Sequence, residues 1–126
     1  MALHSSFAAE FEEWFLASGA KKTRLEKKLR QTYRSAWASG DVDDRFLVVS
    51  FIFWNREADG YDLILRGLTD PIDHLAQHAA CNALALITCN EHLGGGLREA
   101  LEKFQRGHPD WSNVAGAALD LIAQEE

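Results

Sequence analysis

Proline is nearly absent. Pro71 and Pro109 are the only two in 126 residues, so most of the chain is free to form long, unbroken helices. Cysteine is equally scarce. Cys81 and Cys89 cannot make a disulfide framework, and two thiols of this kind suggest a reducing, cytoplasmic setting. No apolar run approaches the ~20 residues of a bilayer span. The opening "MALHSSFAAEFEEWF" lacks the basic head, apolar middle and small-residue cleavage site of a secretory leader. Signatures of chemistry are missing too. "GGG" at 94–96 has no following Gly-Lys-Ser/Thr and reads as a loose turn, not a phosphate loop. "DVDD" at 41–44 lacks the spacing and glycine of a calcium loop. There is no serine nucleophile elbow and no carboxylate pair placed for acid–base catalysis.

Present instead is a composition that is 47% hydrophobic and 25% charged, ordinary for one globular domain spanning 1–126. Net charge is −6, and it is unevenly spread. Residues 1–34 hold seven basic and four acidic side chains, a net +3, whereas 35–126 hold six and fifteen, a net −9. An acidic body of this kind favours a basic protein partner and disfavours nucleic acid.

Periodicity predicts helices along most of the chain. Ser6 reads as a cap before an amphipathic helix carrying Phe7, Phe11, Trp14 and Phe15, with Gly19 as its stop. Thr23 and Glu26 have the capping-box spacing. Leu25, Leu29, Tyr33 and Trp37 then form one apolar stripe, ended by Gly40. The run "RFLVVSFIFW" (45–54) is open to two readings. Its β-branched and aromatic content suits a strand that could pair with "YDLILRGL" across "NREADG". Asp41, Asp43 and Asp44 at its start suit a helix N-terminus, and that reading is preferred. "YDLILRGL" is then a short helix. Pro71 opens a helix reaching about Thr88, another starts near Leu97, and a last one is capped by Asp110 or Ser112.

The second half echoes itself at an offset of 38 residues. Pro71 maps to Pro109, Leu63 to Leu101, Ala76 to Val114, Ala79 to Ala117, Ala80 to Ala118 and Leu84 to Ile122. Alanines at a helix waist let neighbours approach closely. "LILRGLTDPIDHLAQHAACNALALI" and, more loosely, "LREALEKFQRGHPDWSNVAGAALDLIA" resemble the HEAT-type helical repeat family, with Asp70, Pro71, Leu75, Ala79, Ala80, Ala83, Leu84 and Ile87 at its motif positions. The arginine common after the turn is missing, and the second unit has Pro-Asp in place of Asp-Pro. The resemblance implies an all-α fold: antiparallel helix pairs stacked in a right-handed array of six to seven helices. It also implies a protein that holds another macromolecule, not an enzyme.

At roughly 100° per residue, Ile72, Ala76, Ala79, Ala80, Ala83 and Ile87 define a buried side of the fifth helical segment. His74, His78 and Cys81 share the opposite side, a geometry that permits metal ligation. No fourth ligand is evident, and Leu75 stands where a zincin has glutamate. No metal or cofactor is therefore expected. In a HEAT-like stack the second helix of each pair commonly faces the partner, which makes Asp73, His74, Gln77, His78 and Cys81 candidates for a recognition surface. The acidic residues Asp41, Asp43, Asp44, Asp59 and Asp62 form a second candidate. Trp54 and Trp111, at helix ends, are possible aromatic anchors. The basic stretch "KKTRLEKKLRQTYR" reads as a solvated helix face. The expected function is a binding domain that occludes a partner, in the manner of an immunity protein against a basic toxin domain. An adaptor or inhibitor acting through the outer face of 71–88 and 111–124 is the alternative, followed by a metal enzyme using His74 and His78.

Overall fold

A computed structural model describes residues 6–39 and 41–125, the side chains of Ser6 and Glu125 aside. Among these residues the chain is all-α, with seven α-helices and no strand. They are α1 (Ser6–Leu16), α2 (Gly19–Ala38), α3 (Val42–Asn55), α4 (Tyr61–Leu68), α5 (Asp73–Thr88), α6 (Leu97–Gly107) and α7 (Ser112–Glu125). Short 3-10 turns at Ala58–Gly60 and Pro109–Trp111 lead into α4 and α7. Among consecutive helices, α1 packs most closely on α2, α4 on α5 and α6 on α7, while α2 makes a lesser contact with α3. Beyond these contacts, α3 packs on α5 and α5 on α7, while α4 meets α6. Helix α5 lies at the centre, touching α3, α4, α6 and α7, and α1 packs on α2 and α3.

The ambiguous run at 45–54 is the helix α3. Asp41 caps it: its Oδ1 accepts the amide hydrogens of Asp43 at 2.8 Å and Asp44 at 3.2 Å, donors that a helix start leaves orphaned. The run lacks clean periodicity because α3 is surrounded by α1, α2, α4 and α5. Val48, Val49, Phe51 and Ile52 are all fully buried. Helices α4 and α5 approach closely through small residues. A Cβ placed on Gly67 would stand 2.9 Å from the Ala79 Cβ. Gly60 is pressed equally hard, 2.9 Å from both Ile52 and Tyr33.

Several expected boundaries move. The proposed capping box at Thr23 does not form, because α2 begins four residues earlier. Ser18 is its N-cap, and the Thr23 hydroxyl donates within the helix to the Gly19 carbonyl. Gly19 opens α2 with φ +62 and is not the stop of α1, which ends at Leu16. Pro71 lies before α5, not in its first turn. The bend there is set by Asp70, whose Oδ1 accepts the Ile72 amide while its Oδ2 binds Arg45 at 3.0 Å. Ile72 therefore sits outside the helical phase and is exposed. The Ser6 side chain and Gly40 lie outside the described residues.

The 38-residue echo holds in part. Leu63 and Leu101 are both buried, as are Ala80 and Ala118. Ala79 is buried but Ala117 is exposed, since α5 has neighbours on two sides (α3 and α7) whereas α7 packs on α5 and α6 alone.

Candidate protein-binding face

The five aspartates expected to form one acidic patch are divided among separate tasks. Asp41 is the α3 cap. Asp44 is only 4% exposed and meets the Ser39 hydroxyl, so it is not available to a partner. Asp62 is paired with Arg34 at 2.7 Å, and this guanidinium holds its carboxyl below the usual range. The same guanidinium donates to the backbone carbonyl of Asp59, leaving that exposed carboxylate beside it. Asp43 remains open on the surface. The acids failed to gather because α2 carries the matching cations. Arg30 binds Glu57 at 2.8 Å and Lys28 binds Glu10 at 2.9 Å, so the basic stretch joins α2 to its neighbours.

His78 is likewise not on an outward face. Its ring stacks on Phe46 of α3, with centroids 3.8 Å apart and planes 10° apart. Nε2 lies 2.9 Å from the Ser50 Oγ. Asn82, buried one turn on, donates to the His78 carbonyl at 2.8 Å and places its amide nitrogen 3.3 Å from Nδ1 and 3.1 Å from Nε2. The nearly equal distances set the Asn82 amide over the imidazole, while the Ser50 hydroxyl bridges Nε2 and the Phe46 carbonyl, 3.2 Å away. The ring is neutral, consistent with burial pushing its pKa down to about 4. This Ser50–His78 contact ties α3 to α5. The helical wheel missed it because α3 closes over one edge of α5.

His74 is exposed beside Phe46, at 6.3 Å between ring centroids, and Cys81 is exposed as well. Gln77 is half-buried. The Asp73 carboxylate is open to solvent and reaches His108 Nε2 at 3.2 Å, linking the start of α5 to the end of α6. Trp111 is half-buried against the core and is not a free anchor. Among the described residues, no three His, Cys, Asp or Glu side chains are grouped so as to hold a metal ion.

Trp54, in contrast, is 62% exposed. It lies on the same side of α3 as Asp43 and Leu47, whose 4-7 spacing from Asp43 to Trp54 returns to one face. At 1.5 Å per residue, Asp43 and Trp54 are about 16 Å apart along the helix. Beside the Asp43 end of α3, α1 offers Phe15 at 56% and Leu16 at 78% exposure. Phe15, expected in the core, lies beyond it because Phe7, Phe11 and Trp14 already fill the seam against Phe51. Phe11, Phe15, Leu16 and Leu47 line a groove of about 480 Å³ between α1 and α3, with Glu12 and Asp43 on its two walls. This apolar face was legible only at Trp54.

The chain matches no family model, no curated protein and no solved structure. No helix among the described residues is long and apolar enough to cross a membrane.

Proposed function

We propose that this protein is a non-catalytic binding domain that covers a macromolecular partner with the outer face of α1 and α3. One observation carries the reading. Three of the large apolar side chains left exposed, Phe15, Leu16 and Trp54, belong to these two adjacent helices. Phe15 and Leu16 stand at the Asp43 end of α3 and Trp54 at its other end. Large exposed apolar groups mark interaction sites, and tryptophan is prominent among interface residues whose loss weakens binding most.

The net charge of −6 favours a basic partner, and an immunity-type role against a basic toxin domain is the form we propose. The carboxylates that support it are Asp43 and Glu12 at the face, rather than the five-aspartate patch. Recognition through α1 and α3 also replaces recognition through His78, whose ring is committed to Ser50 and Phe46. The α4–α5 and α6–α7 pairs are what a HEAT-type stack would have, whereas α2 packs more closely on α1 than on α3.

The test is to co-express the chain with the product of the gene beside its own and measure association by calorimetry, with the interface mapped by hydrogen exchange. One-to-one binding with protection centred on α1 and α3 supports the proposal. No complex, or protection confined to α4 and α6, overturns it.

A further inference from the structure

We infer that the groove between α1 and α3 receives a short cationic, apolar segment of a partner protein. A large aliphatic or aromatic side chain would seat among Ala8, Phe11, Leu16 and Leu47, with a lysine or arginine held between Glu12 and Asp43. This rests on the binding-domain reading above and adds the chemistry of what is bound.

The groove's volume, about 480 Å³, is in the range that encloses a small ligand or a few side chains. Its lining is mainly apolar, which requires an apolar occupant. Its two carboxylates decide the sign of that occupant's charge. Glu12 stands on the α1 wall and Asp43 on the α3 wall, both exposed. Elsewhere Glu10, Glu26, Glu57, Asp62 and Asp70 each have a lysine or arginine within 3.1 Å. Among the described residues, Glu12 and Asp43, like the exposed Glu13, Glu99 and Glu102, have no such cation, but only Glu12 and Asp43 flank the groove. A cation brought to the mouth of an apolar groove is held more strongly than in open water, because the local dielectric is lower. Fatty acids and acidic peptides would meet repulsion. A second copy seated groove to groove would bring two pairs of carboxylates together. A helix or extended segment of a basic partner has neither problem.

The test uses the full chain and two probes: a short amphipathic peptide of leucine and lysine, and its leucine–glutamate counterpart. Amide and methyl NMR shifts on titration should centre on Ala8, Leu16 and Leu47. The lysine peptide should bind at least about tenfold more tightly than the glutamate one, a difference of roughly 1.4 kcal/mol. Glu12→Gln with Asp43→Asn should remove that preference, and Glu12→Lys with Asp43→Lys should reverse it. Circular dichroism and urea midpoints check folding. If the lysine double variant does not fold, the neutral one carries the test. Equal affinity for the two peptides, shifts centred on α2 or on Trp54, or self-association through the groove would overturn the inference. The two proposals fail separately. A partner complex that protects α3 near Trp54 but leaves the groove open sinks the groove reading alone. Peptide capture in the groove without any partner complex sinks the proposed function alone.

Discussion

The charged side of the molecule and its apolar face use their residues in opposite ways. Along α2 and the turns before and after α4, cations and anions are matched: Arg30 with Glu57, Arg34 with Asp62, and Arg45 with Asp70. These pairs join residues 25 to 28 positions apart and fasten one helix pair to the next. On α1 and the outer side of α3, aromatic and aliphatic groups stand open beside unmatched carboxylates. A count of charges therefore says little about recognition, since most of the acids named as partner contacts are occupied within the fold. What is left over, not what is abundant, marks the surface available to a partner.

The largest expected effect breaks the matched side. Arg45 binds the buried Asp70 carboxylate, donates to the Trp37 carbonyl at 3.2 Å and lies over the Trp37 ring. Arg45→Ala strands that carboxylate and should cost about 3 kcal/mol in urea unfolding. On the other side, Trp54→Ala should change stability by less than about 0.5 kcal/mol. It should nevertheless weaken partner binding by about 2 kcal/mol in calorimetry, as the loss of an interface aromatic does. Equal effects of Trp54→Ala on folding and binding would erase the contrast.

The seam between α3 and α5 gives a subtler test. His78 titrates near pH 4 in the folded chain against an ordinary 6.5, so between these values the unfolded chain binds a proton that the folded one refuses. Its contribution is complete above pH 6.5 and is lost as the pH falls toward 4. The urea midpoint should decline on acidification through this window, and His78→Gln should flatten the decline. The smallest effect is Arg34→Gln. Its pair with Asp62 is half exposed, so the loss should be under about 1 kcal/mol and should shrink further in salt.

The helices were legible wherever one face met the core. The Leu25–Trp37 stripe reads directly, and Leu29, Tyr33 and Trp37 are buried as its period requires. The 45–54 run resisted because a helix packed against several neighbours has no polar side to give it a period; the Asp41 cap was the better guide. Sequence could not place His78, because its partners Ser50 and Phe46 lie 28 and 32 residues away on another helix. Nor could it find the groove. Phe15 follows the same apolar spacing as Phe11 and Trp14, and only the limited surface of Phe51 decides which of them stays outside.

Helix α1 packs chiefly on α2 and α3, through an aromatic ladder of Phe7, Phe11 and Trp14. It touches neither the α4–α5 nor the α6–α7 pair closely, so an opening at α1 would leave those pairs in place. Because α1 is also one wall of the groove, any guest seated there would clamp it down. Occupancy should thus be readable at a distance from the guest itself, as slower amide exchange along α1 while the stack beneath keeps its own pace.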